Sequence, residues 1–350
     1  MATSSVTIVV VPREQFSKAE ASLESIYATT PPPFDLVYVD GNSPPALRDF
    51  LAAQAAARGF TLLRAERYLT SNEARNLALP HVRTPYVAFV DNDVFVTPGW
   101  LDALLRCAEE TGAWAVGPLY CYGTDGSSGE PWLIHTAGAD LKIIEEGGRR
   151  LHEEHRHVLR PVAEVLPQLH REPIDLVEFH CMLVRREAFD RTGPLDERLL
   201  SFMDHMDFCM AVRRAGGAVY FEPEAVVTHL APPPFAGIDI PYFLLRWSDA
   251  WLHESARYFA AKHGLRPDAD LEGHVWFRNG HRRRLVGGLR RRIRALFGKR
   301  VLKLADKFVD RVVFGLLIEH TVVARMQRRR RSGARREPRP PSTIVAEATS

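Results

Sequence analysis

The side chains best suited to chemistry in this chain are carboxylates and imidazoles at the ends of apolar runs. Asp91-Asn92-Asp93 follows the apolar residues 87–90. Two carboxylates spaced i, i+2 across a tight turn can hold a hard divalent cation, and Mg2+ or Mn2+ takes such oxygen ligands together with substrate phosphates. Asp and Asn also build turns and cap helices, so the triplet alone does not decide between the two roles. Asp40 ends a second apolar run, residues 36–39, and Pro12-Arg13-Glu14 ends a third, residues 7–11. Further on, Asp204-His205 and Asp207 open a helical pattern, His180 sits inside an apolar run, and His229 closes one. Carboxylates at a helix start also satisfy free N–H groups and complement the dipole, which is the structural alternative for Asp204 and the favoured role for Asp207.

The elements that must position these groups read as an α/β alternation. Strands are expected at 7–11, 36–39, 61–63, 86–90 and 114–116. The helices between them start at Ser17, with Glu20 completing a capping box, at Pro44-Pro45 and near Ser71, and after Thr97-Pro98. Strands joined by helices of this length imply a mostly parallel sheet with helices on both faces. Ligands then collect beyond the carboxyl ends of the strands, where residues 12–14, Asp40 and 91–93 share one rim. Residues 120–173 loosen into Gly-, Pro- and His-rich sequence that suits a substrate-facing insertion. A strand at 176–184, a short helix at 186–191, a helix at 205–215 and strands at 219–221 and 225–228 follow. The triple proline at 232–234 marks a boundary, and 241–263 reads as helix.

The ordered set of motifs resembles the nucleotide-sugar glycosyltransferases of the GT-A fold, and within them the inverting family 2, from about residue 6 to residue 230. The motifs are the strand ending in Pro12, Val37-Tyr38-Val39-Asp40-Gly41-Asn42-Ser43, Glu73-Ala74-Arg75-Asn76-Leu77-Ala78, residues 86–93 with Pro98-Gly99-Trp100-Leu101, residues 182–197, and Asp204 to Gly216 with His229. The resemblance implies a Rossmann-like sheet in a domain of residues 1–230, with a nucleotide-binding half at 1–119 and an acceptor half at 120–230. It implies that a metal held by Asp91 and Asp93 with His229 neutralises charge on the leaving diphosphate. Asp40 would bond the nucleobase beside Pro12, Arg13 and Glu14. Arg75, Asn76 and Asn92 would approach the nucleotide and sugar, although Arg75 and Asn76 also suit a solvated helix surface.

Inversion needs a base that takes the acceptor hydroxyl's proton during attack from the face opposite the leaving group. The family supplies it from an acidic pair that falls here on Asp204-His205, with histidine in the place of the second acid. Asp204 is the first choice, His205 being its partner or the base itself, since imidazole titrates near neutral pH. His180 and Asp207 stand as acceptor-side candidates. Two departures touch the nucleotide pocket: Arg13-Glu14 after Pro12, and Pro44-Pro45 after Ser43. A UDP-sugar remains the leading donor. The implied activity is sugar transfer to a hydroxyl of a surface glycan or glycolipid. The alternative is a non-catalytic GT-A-like nucleotide-binding scaffold recruited to membrane or nucleic acid through its basic tail, of which the Asp204-His205 change would be the trace.

Composition bounds these readings. The 350 residues are 46% hydrophobic and 25% charged, which excludes a disordered, collagen-like or disulfide-scaffold chain. Cys107, Cys121, Cys181 and Cys209 form no C-x-x-C pair and read as buried thiols. No apolar run approaches a membrane span, and the N-terminus carries no leader pattern, so a cytoplasmic protein is expected. The net charge of +3 hides an asymmetry, because residues 281–340 hold 20 Lys or Arg against four acids. Residues 231–280 read as a helical extension. Residues 281–350 read as a basic amphipathic helix, 295–327, and a disordered Arg-rich end. Such a helix suits an anionic membrane surface, with a peripheral location on the cytoplasmic face, or packing on its own domain. Nucleic acid is disfavoured, because no helix-turn-helix, zinc-finger or aromatic RNA-binding pattern accompanies the arginines.

Overall fold

The structure, a computed structural model, describes residues 4–123, 132–229, 235–266, 271–334 and 343–344. Its first third alternates strand and helix: β1 (Val6–Val11), α1 (Ala19–Thr29), β2 (Asp35–Gly41), α2 (Pro45–Arg58), β3 (Thr61–Ala65), α3 (Ser71–Ala78) and β4 (Tyr86–Asp91). After the turn come β5 (Val94–Val96), α4 (Trp100–Thr111) and β6 (Ala115–Tyr122). β3, β2, β1 and β4 lie side by side and parallel. Both sheet faces are buried, which explains why these strands read as continuous apolar runs. Ile8 and Val10 face one core, against α1 and α4, while Val9 and Val11 face the other.

The second third holds β7 (Leu133–Thr136), the hairpin β8 (Ala139–Ile144) and β9 (Arg150–His155), α5 (Val162–Val165), β10 (Glu172–Pro173), β11 (Cys181–Arg185), α6 (Ala188–Thr192), α7 (Asp204–Arg214) and β12 (Val219–His229). β11 runs antiparallel between β4 and β6, and β12 returns parallel to β6, so the sheet is mixed. The loosely patterned 120–173 stretch is therefore ordered in much of its length. The apolar run expected as a strand from 176 becomes regular only at Cys181. Residues 219–229 form one strand with a bulge between Glu222 and Val226 in place of two.

Two expected helix starts differ. Ser17 makes no capping box with Glu20, because its N–H and hydroxyl both donate to the Asp239 carboxylate, at 2.9 and 2.7 Å. A capping box forms instead at α3, between Thr70 and Glu73. Thr97 does not cap α4 with its side chain; its hydroxyl donates to the Val226 carbonyl, and Gly99 (φ 80°) starts the helix.

The C-terminal part comprises α8 (Ile240–Arg246), α9 (Asp249–His263), α10 (Leu271–Arg282), α11 (Gly287–Phe308), a π-helical stretch (Val309–Val323), α12 (Ala324–Ala334) and a two-residue β13 (Thr343–Ile344) that pairs with β3. Ser248 caps α9 and breaks the expected 241–263 helix in two. Phe314 and Val323 enter a third core with Leu244, Leu245 and Trp251, so this stretch packs on the body. At Gly298 (φ 77°) α11 breaks, and Arg290 from its first half bonds Asp306 in its second at 2.7 Å, which folds the halves beside each other. The helix expected over 295–327 is thus interrupted once, at Gly298, and runs on from there through the π-helical stretch into α12. Arg330 of α12 reaches Glu73 at 2.6 Å and the Tyr68 carbonyl at 3.2 Å. The triple proline at 232–234 and the Arg-rich end at 335–342 lie outside the described residues.

Candidate active site

The ends of β1 and β4 meet at the 91–93 turn. Asn92 locks the two, its N–H donating to the Val11 carbonyl at 2.9 Å and its side-chain oxygen accepting the Arg13 N–H at 2.7 Å. Pro12 lies against Gly41, where an added Cβ would come within 2.9 Å of its ring. Asp91 is fully buried. One of its oxygens accepts from His180 Nδ1 at 2.7 Å and faces Arg13 Nε at 3.2 Å. Burial alone would raise Asp91, but the Arg13 charge and the His180 bond push it down to about 2. Asp93 goes the other way, held well above the carboxylate range by burial and by the charges of Asp91 and Glu14. His229 Nδ1 stands 3.8 Å from an Asp93 oxygen, and burial beside His180 and His135 keeps its ring well below the ordinary value.

Asp91 Oδ1 and Asp93 Oδ1 are both buried and accept no hydrogen bond. Unsatisfied buried acceptors are costly, and two of them on one tight turn fit a bound cation. Asp91 and Asp93 therefore suit a hard divalent ion such as Mn2+ or Mg2+.

Beside the turn stand α3 and α7, which carry Arg75 and Asp204. Arg75 is wholly buried, lies 4.0 Å over the Phe179 ring, bonds Asp204 at 2.7 Å and stands 3.6 Å from Asp91. Met203, in the left-handed region at φ 66°, precedes Asp204 and turns it toward Arg75; such a conformation costs a non-glycine residue roughly 1–2 kcal/mol. Burial would raise Asp204, but the neighbouring His205 ring and the Arg75 charge hold it well below the usual range. His205 donates through Nε2 to Glu153 of β9 at 2.8 Å, and its Nδ1 lies 3.9 Å from Asp204. Burial would lower that ring, yet Glu153 and Asp204 hold it well above its ordinary value. It is therefore cationic at neutral pH.

The other expected residues make structural bonds as well. The Asn76 amide donates to the Leu195 carbonyl and to Glu197, and its oxygen accepts the Leu195 N–H, so it pins the 195–197 loop. Asp207 lies in the first turn of α7, and Lys262 and His263 of α9 each bond its carboxylate at 2.8 Å, so it joins two helices. Asp40 accepts from the Ser43 N–H and hydroxyl and from Arg64. Glu14 sits 3.3 Å from Arg246 of α8.

Sequence reading missed Glu153, Glu178, His135, Arg64 and Arg246. The first three come from the irregular insertion and from a run that looked like strand interior, where only tertiary contacts reveal them. The four cysteines are free and buried, as expected.

Residues 7–193, more than half of the chain, match the profile described as glycosyl transferase family 2, and the chain belongs to that family. Its mixed sheet, with helices on both faces and a helical C-terminal stretch, is the GT-A architecture. A protein of Sinorhizobium fredii (strain NBRC 101917 / NGR234), described as uncharacterized, is 30% identical over 236 residues, which is 65% of this chain and 24% of that one. The N-acetylglucosaminyl-diphospho-decaprenol L-rhamnosyltransferase of Mycobacterium tuberculosis (strain CDC 1551 / Oshkosh) is 29% identical over 149 residues, which is 41% of this chain and 46% of that enzyme. This chain thus spans about a quarter and about half of their lengths. Among solved structures, GalNAc-T7 with UDP, GalNAc and Mn2+ superposes with a TM-score of 0.49 at 16% identity, covering 80% of this chain and 54% of that one.

Proposed function

We propose that the chain transfers a sugar, with inversion, from a nucleotide-sugar donor, UDP-linked by preference, to a hydroxyl of a glycan or glycolipid. The observation that carries this reading is that buried Arg75 joins the 91–93 turn, with its two unsatisfied aspartate oxygens, to the ionised carboxylate of Asp204. When bound, a divalent ion held by Asp91 and Asp93 with His229 would supply neutralising charge to the leaving diphosphate. Arg13 and Arg75 add fixed positive charge at the same turn. Asp204 is the base. His205 is already protonated and serves to hold it, while Asp204, of low basicity, takes the acceptor proton late, as the new C–O bond forms.

The membrane surface belongs to the same proposal. Leu296 (74% exposed), Phe297 (63%) and Leu304 (67%) stand out around the break in α11, among Arg291, Arg292, Arg294, Lys299, Arg300 and Lys303. An apolar tip ringed by cations suits the headgroup region of an anionic bilayer. The decaprenol-linked substrate named for the mycobacterial relative is in keeping with a lipid-borne acceptor. Among the described residues, no helix is long and apolar enough to cross a membrane.

Incubation with a panel of nucleotide sugars and Mn2+ is expected to release nucleoside diphosphate, and Asp204→Asn and Asp93→Asn are each expected to lower that release at least about a hundredfold with folding intact. Release undiminished in both variants refutes the assignment. Nucleotide binding without turnover in the parent would favour the scaffold reading.

A further inference from the structure

Beside the 91–93 turn, three cleft side chains converge without serving the proposed transfer. His135 comes from β7, and Glu178 and His180 come from the irregular residues before β11. One ligand atom from each lies within 4.8 Å of the others. The side chains keep 13–16% of their surface exposed, so the cluster opens to the cleft while its walls hold it. Tyr120 stacks on the His180 ring at 4.9 Å and meets His135 edge-on at 4.9 Å, and Tyr122 meets His135 edge-on at 4.6 Å.

The hydrogen bonds decide what these atoms present. His180 Nδ1 must carry a hydrogen, because its partner is the acceptor-only Asp91 carboxylate at 2.7 Å. In the neutral ring Nε2 is then a bare lone pair, and it faces the Glu178 carboxylate at 3.5 Å, acceptor against acceptor. His135 Nε2 lies 2.7 Å from the same Glu178 oxygen. A tetrahedral ion with nitrogen and oxygen ligands at about 2.0–2.1 Å spaces them about 3.3 Å apart. The observed 2.7 and 3.5 Å bracket that spacing, so small side-chain shifts admit an ion.

We propose that His135, Glu178 and His180 form a second cation site, distinct from the Asp91–Asp93 turn, for a borderline divalent transition ion of the zinc class. Two imidazoles and one carboxylate are the donor set such ions favour, and three protein ligands leave a fourth position open toward the cleft, as in sites that take a substrate oxygen. Asp91 supplies the outer carboxylate that orients a ligating histidine through its other nitrogen. Binding requires His135 to carry its hydrogen on Nδ1, so that Nε2 offers its lone pair, and leaves Nδ1–H of His180 in place. His180 and Asp91 thereby link the two sites while belonging to different donor sets.

The test uses the full chain stripped with chelator and titrated with Zn2+ by calorimetry and with Co2+ by visible absorption. The parent is expected to take up Zn2+ and to give Co2+ a tetrahedral d–d band. His135→Ala and Glu178→Gln are each expected to weaken this uptake at least about tenfold, while Asp93→Asn retains it. No uptake by the parent, or uptake unchanged in His135→Ala and Glu178→Gln, overturns the site. Equal loss in Asp93→Asn and His135→Ala also overturns it, by assigning the ion to one shared centre. Should a variant fail to fold, the parent decides alone. Co2+ is then expected to broaden the His135 and His180 imidazole NMR signals, and signals left sharp overturn the proposal.

Discussion

His205 lies between two carboxylates, and its charge follows from that position. Because its folded-state value is raised, the imidazolium contributes stability that is full below its ordinary value of about 6.5 and fades as pH rises through the raised value. Glu153→Gln removes the neutraliser from Nε2. The variant is expected to lose about 1–3 kcal/mol near pH 6 and to converge on its parent in alkali, as read from urea midpoints across pH. Imidazole NMR should show the His205 titration moving down, and an unmoved titration would sink the account. Asp204 and His205 were legible because they are adjacent and open a helix. Glu153 was not, because it lies 52 residues away in a hairpin whose charges look merely solvated. The hold of Asn76 on the 195–197 loop was hidden for the related reason that a polar helix residue does not disclose which loop it bonds.

At the scale of elements, Gly117 of β6 governs the segment that carries Glu178 and His180. A Cβ there would come within 2.4 Å of Val177. Gly117→Ala is expected to cost about 1–3 kcal/mol by overpacking and to weaken any ligand of the 178–180 segment, with thermal melting and far-UV circular dichroism as the check. Stability equal to the parent would show that Val177 yields freely. The strands of the first third were legible because burial on both faces writes itself as uninterrupted apolar sequence. The direction of β11 was not, because antiparallel placement between β4 and β6 leaves no local mark. The patterns at 17–20 and 70–73 look alike on paper. Only the second caps a helix, because Asp239, 222 residues from Ser17, captures both of the first one's donors.

For the whole molecule, the charge asymmetry resolves into a docked part and a projecting part. The π-helical stretch and Arg282 are packed against α8 and α9, Arg282 bonding the Trp247 carbonyl at 2.6 Å and Glu319 at 2.9 Å. The α11 hairpin projects. Vesicles rich in anionic lipid are expected to pull the full chain down in sedimentation, and neutral vesicles are not. Half-molar salt, with a Debye length of roughly 4 Å, should weaken the binding, as should Phe297→Glu with Leu304→Glu. Equal recovery with both vesicle types would refute the electrostatic part. Sequence periodicity announced the amphipathic character of this region but missed its break, since a glycine within a helical pattern is ordinarily tolerated.

Glu73 completes the cap at the start of α3 and also receives Arg330 from α12. One carboxylate therefore moors the last long helix to the helix that bears Arg75, about 3 Å of rise further along the same rigid rod. Strain that lifted α12 from the body would tug on the same rod, so the basic extension and the floor of the cleft share a mechanical fate.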